Sequence, residues 1–214
     1  MFPALYAILD PSAGGKTSLP LALELADAGV CLIQLRDKRA SARELQARAM
    51  EFAEKLSPRG MRLVVNDRAD IAAIAGAGGV HVGQEDLPVE EARRICGPSS
   101  WVGVSTHNLD QLREAAGTSA DYIAVGPIFP TGTKENPDRV VGIEFLRAAR
   151  GLTRKPIVAI GGITLERAAD VFRAGADSVA VIRDLALARD PAARAREFLS
   201  IAERVGMERG SRQG

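Results

Sequence analysis

The sequence has few aromatic residues, little net charge and no long apolar run. Aromatic side chains make up 4% of the 214 residues, and 28 basic residues balance 27 acidic ones to a formal net charge of +1. Nucleic acids and anionic membranes attract strongly basic surfaces, and base-stacking platforms need aromatic rings. No apolar run approaches the ~20 residues that cross a bilayer. We therefore expect neither a nucleic-acid partner nor a membrane partner.

Cysteine and histidine are scarce as well. The chain has two of each, Cys31 with Cys96 and His81 with His107. Two cysteines are too few for the disulfide framework of a small secreted protein, and neither pair is sufficient for a zinc site. We interpret His81, in the middle of a predicted strand, as a histidine of the core or the rim. The cysteine usage is typical of the reducing cytoplasm.

Apolar segments of strand length alternate with amphipathic helical segments along the whole chain. The predicted strands cover residues 5–9, 30–35, 62–65, 79–82, 101–104, 122–125, 156–160 and 178–182. In the segment 41–56, four apolar residues recur on one helical stripe, and Ser41 with Glu44 predicts a capping box at its start. Eight strand–helix units in a chain of this length predict a single closed (β/α)8 TIM barrel.

The main alternative to the barrel is an open, doubly wound sheet. That fold usually places a GxGxxG turn after its first strand, and no such turn follows residues 5–9. The opening residues, MFPALYAILDPSAGG, have no basic segment before their short apolar part, so we interpret them as a strand and not as a signal peptide. We expect one barrel domain over residues 1–206 and a disordered polar tail at 207–214.

Polar residues follow the predicted strands at the ends where a TIM barrel keeps its chemistry. Gln34, Arg36 and Lys38 recur at every second position, so we expect them to share the face that carries Leu32. The other strand ends carry Asn66, Asp67, Asp86, Ser105, the segment GPIFPTGTKENPD, Gly161, Gly162 and Arg183. A solvated rim explains any one of these residues, but their convergence predicts a ligand site at the barrel mouth.

Asp67 and Asp86 follow two neighbouring predicted strands. Adjacent strands lie about 5 Å apart, so both carboxylates can reach one ion, and oxygen ligands without cysteine or histidine suit Mg²⁺. Capping of the helices that follow is the alternative. Arg36 and Lys38 beside a metal would repel it unless all of them bind a pyrophosphate, and that combination favours a metal–pyrophosphate site.

The loops after the sixth, seventh and eighth predicted strands suggest a second anion site. Lysine is rare, five against 23 arginines, yet Lys38 and Lys134 both fall in strand-end loops. Lys134 lies in the long segment 126–141, which is of a length typical of a lid or binding loop. Gly162 and the residues after Arg183 lie where TIM barrels bind phosphate through backbone N–H groups at helix starts.

Taken in order, these motifs resemble the thiamine-phosphate synthase (thiamine-phosphate pyrophosphorylase) family over nearly the whole chain. The matching segments are QLRDK at 34–38, VND at 65–67, GVHVGQEDLP at 79–88, GVSTH at 103–107, GPIFPTGTK at 126–134, PIVAIGGI at 156–163 and GADSVAVI at 175–182. The resemblance implies a (β/α)8 transferase that joins hydroxymethylpyrimidine pyrophosphate to a thiazole phosphate and releases pyrophosphate. It also implies a role for each residue of the site.

By this resemblance, Gln34 would contact the pyrimidine, and Asp67 and Asp86 would hold the Mg²⁺. Ser105 would lie near the reacting pyrophosphate. The groups that would hold the pyrophosphate are Arg36, Lys38, Asn66 and Lys134. Arg36, Lys38, Ser105 and Lys134 would be the catalytic residues. The thiazole phosphate would be bound by Thr131, Thr133, the Gly162 amide and the region of Ile182.

One position departs from the family pattern. Arg183 stands where the family commonly has a serine that binds the thiazole phosphate. Its guanidinium could bind the phosphate, or it could point outward and leave that role to backbone amides. The related thiazole tautomerase, and a non-catalytic barrel that binds a thiamine precursor, are the alternative functions. The sequence does not give the oligomeric state or the form of the thiazole acceptor.

Overall fold

The computed structural model describes residues 2–14, 18–132 and 139–210, without the side chains of residues 209 and 210. Its strands are β1 (Leu5–Leu9), β2 (Leu32–Leu35), β3 (Arg62–Asn66), β4 (Gly79–Val82), β5 (Trp101–Thr106), β6 (Tyr122–Val125), β7 (Ile157–Ile160) and β8 (Ser178–Val181). They form a closed parallel barrel in chain order, in which β8 pairs with β1. The predicted (β/α)8 barrel is confirmed, and the strand limits differ from the predicted ones by at most two residues.

Helices surround this barrel. They are α1 (Leu19–Asp27), α2 (Ala42–Leu56), α3 (Ala69–Ile74), α4 (Val89–Cys96), α5 (Leu109–Gly117), α6 (Gly142–Leu152), α7 (Leu165–Arg173), α8 (Arg183–Ala186) and α9 (Pro191–Gly210), with short 3₁₀ turns at Pro11–Ala13 and Ser57–Arg59. The capping box of α2 is present, because Ser41 Oγ accepts from Glu44 N and Glu44 Oε2 accepts from Ser41 N. Its predicted apolar stripe is the buried face of the helix.

Strand alternation separates the core into two parts. Ile33 and Leu35 point outward from β2 and pack with the surrounding helices. Leu32 and Gln34 point inward, as predicted, and are 0% and 2% exposed. The apolar side chains buried inside the barrel are Tyr6, Ile8, Leu32, Val64, Tyr122, Ala124, Val158 and Ala180. This packed interior supports the floor of the mouth.

Aromatic rings close the end of the barrel opposite the mouth. Phe2 stacks on Trp101 with ring centroids 5.1 Å apart, and the Arg62 guanidinium lies 4.1 Å from the Trp101 centroid. Above them, the Tyr122 ring occupies the space that Gly103 leaves vacant: a Cβ at Gly103 would lie 2.0 Å from Tyr122 Cζ. The opposite end, where the strands finish, is the open one.

The predicted tail begins too early. Helix α9 continues to Gly210, so residues 207–210 are helical, while residues 211–214 lie outside the described part of the chain. Val205 is buried, and Glu208 lies 3.3 Å from the Arg173 guanidinium of α7, so the end of α9 is held against its neighbour. In the part of the chain that the structure describes, no helix is both long and apolar enough to cross a membrane.

Candidate active site

A cavity of about 670 Å³ opens at the carboxyl ends of the strands. Of the residues predicted to bind substrate, eight line it: Gln34, Arg36, Asn66, Ser105, Thr131, Gly162, Ile182 and Arg183. Lys38 and Asp67, the residue after Asn66, form an ion pair with each other, with Lys38 Nζ 3.2 Å from Asp67 Oδ2. Thr133 and Lys134 lie outside the described residues. Eight predicted site residues therefore converge on one cavity, whereas Lys38, Asp67 and Asp86 do not line it.

Arg36 is held in this cavity by a carboxylate that the sequence did not reveal. Asp10, one residue past β1, is 1% exposed and forms an ion pair with the Arg36 guanidinium. Its other oxygen accepts from Ser12 N at 2.9 Å and from Ser12 Oγ at 2.6 Å. The Arg36 backbone N–H also donates to Leu9 O at 3.0 Å. The guanidinium is thus fixed by β1, and the only signal for Asp10 was its position at a strand end.

Asp67 and Asp86 meet beside Lys38. Burial, and then the neighbouring Asp86 carboxyl, raise the pKa of Asp67, and the Lys38 ammonium opposes this rise. Asp67 has a φ of +61°, a backbone conformation that costs energy in a residue other than glycine. Asp86 Oδ2 accepts from Gly83 N at 2.8 Å. A cation between the two carboxyls would relieve the repulsion that these observations indicate.

The alternative function of these aspartates, helix capping, is not what the structure has. The N-cap residue of α3 is Arg68 and that of α4 is Pro88, and neither helix has a side-chain capping bond. Within the described ranges, no group of three or more His, Cys, Asp or Glu side chains is arranged to hold a metal. The local donor set therefore consists of two carboxylates, which fits a hard cation such as Mg²⁺ that takes further oxygens from a phosphorylated substrate.

A chain of hydrogen bonds runs along the floor of the cavity from β2 to β5, and all of its residues except Tyr122 line the cavity. Gln34 Nε2 donates to Tyr6 Oη at 2.8 Å, and the Tyr6 and Tyr122 hydroxyls lie 3.0 Å apart. Tyr122 Oη lies 3.1 Å from His81 Nδ1, and His81 Nε2 lies 2.9 Å from Ser105 Oγ. The interpretation of His81 as a core histidine is consistent with its 7% exposure. The chain itself was missed, because its two tyrosines are 116 residues apart in the sequence.

The far side of the cavity is built from backbone and arginine. Gly162 has a φ of +61°, and a Cβ there would lie 2.5 Å from Pro130 O, so only glycine allows this approach of two loops. Arg167 donates to Gly162 O at 2.7 Å, and its guanidinium lies 4.6 Å from the centroid of the Phe129 ring. The other arginines that line this side are Arg183, Arg189 and Arg194. Four arginines therefore lie around the ends of β7 and β8, together with one carboxylate, Asp184.

Arg183 is the first residue of α8 and lines the cavity. A Cβ at Gly132 would lie 3.9 Å from Arg183 Nη1, so the guanidinium lies near the loop that follows β6. Arg194, by contrast, is committed to Asp184, with Nη1 2.9 Å from Oδ2. Of the two orientations that the sequence left open for Arg183, this geometry favours the one toward the cavity.

The fold and this cavity define a (β/α)8 barrel whose mouth carries arginines on two sides, an arrangement typical of enzymes that act on phosphorylated small molecules. A family model described as thiamine monophosphate synthase matches residues 5–185. The thiamine-phosphate synthase of Koribacter versatilis is 52% identical over 204 residues, covering 93% of this chain and 95% of the relative. The chain therefore belongs to the thiamine monophosphate synthase family.

Two further comparisons agree with this assignment. The thiamine-phosphate synthase of Albidiferax ferrireducens is 40% identical over 202 residues, covering 94% of this chain and 92% of that protein. The solved structure of the thiamine phosphate pyrophosphorylase from Pyrococcus furiosus superimposes with a TM-score of 0.86 at 34% identity, covering 94% of this chain and 96% of the other. The similarity thus extends over nearly the whole barrel.

Proposed function

We propose that this chain is a thiamine-phosphate synthase, a transferase that joins 4-amino-5-hydroxymethyl-2-methylpyrimidine pyrophosphate to a thiazole phosphate and releases pyrophosphate. The observation that carries the proposal is one cavity with two different anion-binding ends. One end has Arg36 and Asn66, the residue before Asp67, and the other has Gly162 and Arg183. Two phosphorylated small molecules can therefore meet between them. The two free cysteines fit a cytoplasmic location.

The pyrimidine pyrophosphate belongs at the end formed by β2, β3 and β4. Gln34 would contact the pyrimidine, while Arg36 and Asn66 would bind the pyrophosphate from the cavity wall. Because Asp10 and the Leu9 carbonyl fix Arg36, its guanidinium meets the pyrophosphate with little loss of side-chain entropy. Lys38 stands at the edge and can move from Asp67 to the substrate.

Mg²⁺ would be held by Asp67 and Asp86, and when bound it would supply positive charge to the pyrophosphate oxygens. The two carboxylates are chemically suited to that ion, because both are oxygen donors and their mutual repulsion disfavours leaving them without a cation. Lys38 then becomes available to the substrate.

The reaction we propose is a dissociative displacement. The bond between the pyrimidine methylene carbon and the pyrophosphate oxygen breaks, and its electron pair leaves with the pyrophosphate. Arg36, Lys38 and, from the sequence, Lys134 would stabilise the charge that develops there, with Ser105 donating a hydrogen bond. The aminopyrimidine shares the positive charge on carbon, so no protein nucleophile is needed. The thiazole nitrogen then forms the new C–N bond.

The thiazole phosphate belongs at the ends of β7 and β8. Thr131, Gly162 and Ile182 line the cavity there. By the family resemblance, Thr133 would also contact the phosphate. Arg183 would contact the phosphate in place of the serine that the family commonly has. Binding the thiazole phosphate on the side of the cavity opposite the pyrimidine would orient the thiazole nitrogen toward the pyrimidine. This orientation would lower the entropic part of the activation barrier.

The experiment that tests the function supplies the purified protein with Mg²⁺, the pyrimidine pyrophosphate, and either thiazole phosphate or its carboxylated form. We expect thiamine phosphate by mass spectrometry only when both substrates are present, and the faster acceptor identifies the natural one. Isomerisation of the carboxylated thiazole phosphate without the pyrimidine would instead establish the tautomerase. Binding of both compounds without any product would establish a non-catalytic barrel.

A further inference from the structure

The hydrogen-bond chain beneath the mouth joins two residues that the proposed reaction uses, Gln34 and Ser105. We propose that Tyr6, Tyr122 and His81 are positioning residues. Each residue from Gln34 to His81 donates a hydrogen bond to the next, ending at Ser105, and this order fixes the orientation of both the Gln34 amide and the Ser105 hydroxyl. The inference rests on the proposed function for its kinetic consequences. Its structural part concerns the unliganded protein and stands independently.

The direction of the chain is set at its Gln34 end. An amide nitrogen only donates, and Gln34 Nε2 donates to Tyr6 Oη at 2.8 Å. Tyr6 must then place its own proton on another acceptor. Among its hydrogen bonds in the described residues, Tyr122 Oη at 3.0 Å is the one that can accept it. Tyr6 therefore donates to Tyr122.

The same reasoning continues to Ser105. Tyr122 accepts from Tyr6, so its proton goes to His81 Nδ1 at 3.1 Å. A neutral imidazole that accepts at Nδ1 carries its proton on Nε2, and that N–H donates to Ser105 Oγ at 2.9 Å. Ser105 therefore keeps its own proton for an acceptor in the cavity that it lines. A leaving pyrophosphate oxygen is such an acceptor.

Burial keeps all the hydrogen bonds between Gln34 and Ser105 in this one direction. Tyr6 is 1% exposed and Tyr122 is 0% exposed, so a bond lost between their hydroxyls would leave buried polar atoms without a partner, which is costly. Burial also raises the pKa of both tyrosines, so each hydroxyl keeps its proton through the neutral range. Reversal would require the Gln34 amide to turn over and every proton to move with it. With Nε2 committed to Tyr6, Oε1 is the atom that Gln34 offers to the amino group of an aminopyrimidine.

The first test reads the proton on His81 directly. The protein contains two histidines, His81 and His107. ¹⁵N NMR of histidine-labelled, unliganded protein at neutral pH resolves their ring nitrogens, and the variant His107→Gln assigns the His81 signals. We expect His81 to be neutral, with Nε2 protonated and Nδ1 accepting. Protonation of Nδ1, alone or together with Nε2, would overturn the direction that we infer.

The second test removes one hydroxyl from the middle of the chain. Tyr6→Phe keeps the edge-on ring packing against Tyr122, whose centroid is 5.9 Å away, but leaves Gln34 Nε2 without its acceptor. We expect the KM for the pyrimidine pyrophosphate to rise about five- to tenfold, because the loss of one buried hydrogen bond weakens binding by about this factor. The KM for thiazole phosphate should stay within about twofold of wild type.

The matched control is Thr106→Val. It deletes a buried hydroxyl that donates to Ala124 O at 3.0 Å and takes no part in the hydrogen-bond chain. A merely structural role for Tyr6 would lower the melting temperature of both variants and leave both KM values unchanged, and that result would overturn the proposal. If Tyr6→Phe does not fold, the NMR measurement on the wild-type protein still decides the direction of the hydrogen bonds. That measurement also needs no substrate, so an absence of synthase activity would not be mistaken for failure of the positioning proposal.

Discussion

Two cationic side chains near the mouth are held by acidic partners. The Arg36 guanidinium pairs with Asp10, and the Lys38 ammonium pairs with Asp67. These two partners differ in consequence. Asp10 is buried and also caps the turn after β1, so releasing Arg36 would leave a buried carboxylate without its cation. Lys38 is 56% exposed and can exchange partners at little cost.

The variant Asp10→Asn should therefore impair the pyrimidine end specifically. An asparagine keeps the acceptor for Ser12 but replaces the carboxylate that holds Arg36. Because a hydrogen bond to a charged group contributes about 1.5–3 kcal/mol, we expect kcat/KM for the pyrimidine pyrophosphate to fall by about one to two decades. The control is Asp121→Asn, which breaks an ion pair with Arg93 before β6 begins, away from the mouth. Equal steady-state constants for Asp10→Asn and wild type would contradict the role of Asp10.

Arg183 gives a second prediction, at the other end of the cavity. If its guanidinium contacts the thiazole phosphate, Arg183→Ala should weaken that substrate by about one to two decades, the effect of roughly 1.5–3 kcal/mol. The KM for the pyrimidine pyrophosphate should hardly change. Arg183→Ser, which introduces the residue common in the family, should recover part of the loss. Unchanged thiazole-phosphate affinity in the alanine variant would show that backbone amides suffice.

At the scale of elements, the strands inside the barrel leave room for one large side chain, the Tyr122 ring. β5 contributes Gly103 at the point where the Tyr122 ring of β6 lies, and the strands pair directly at these residues. Tyr122 in turn supports His81, with ring centroids 5.5 Å apart. The missing side chain on β5 thus makes room for the hydrogen-bond chain that connects β5 with four other strands.

The variant Gly103→Ala tests this adjustment. Its Cβ would lie 2.0 Å from Tyr122 Cζ, so the strand or the ring must shift, and overpacking of this kind costs about 1–3 kcal/mol. We expect a lower free energy of unfolding in urea and a changed ¹⁵N signal of His81. Gly151→Ala, inside α6 with no atom within 4 Å of the new Cβ, should be neutral or more stable. Equal unfolding midpoints for the two variants would show that β5 and β6 adapt freely.

The limits of sequence reasoning are also visible in these elements. The strand ends Gln34, Asn66, Ser105 and Gly162 could be predicted to converge, because parallel strands in a barrel end at one face and the residue types there are polar or glycine. The chain Tyr6–Tyr122–His81 could not be predicted in the same way. Which inward residues touch depends on how the closed barrel brings β1, β4 and β6 together, and strand periodicity carries no information about that distance.

For the whole molecule, the carboxylate pair links stability to pH and to metal. Because the pKa of Asp67 is raised in the folded state, the native chain binds this proton more tightly than the unfolded chain does. The resulting contribution to stability is present at low pH and is lost as pH rises through the folded pKa. We expect the metal-free protein to lose thermal stability over that range and Mg²⁺ to restore it.

The variant Asp86→Asn isolates this effect. Removing the neighbouring charge should reduce the pH dependence of the metal-free melting temperature, since the Asp86 carboxyl contributes to the raised pKa of Asp67. Its asparagine can still accept from Gly83 N, so the turn before α4 is kept. The same variant should need a much higher Mg²⁺ concentration for activity. A melting profile and a Mg²⁺ requirement both equal to those of wild type would contradict the assignment of Asp67 and Asp86 as metal ligands.

The central claim is that one barrel mouth joins two phosphorylated substrates, and a ³¹P NMR time course tests it most directly. The protein is mixed with Mg²⁺, the pyrimidine pyrophosphate and the thiazole phosphate, and parallel samples lack one component. We predict that pyrophosphate and thiamine phosphate appear together in equal amounts, and that neither forms without the thiazole phosphate or after chelation of the metal. Release of pyrophosphate at the same rate without the thiazole phosphate, or no conversion with both substrates present, would contradict the claim.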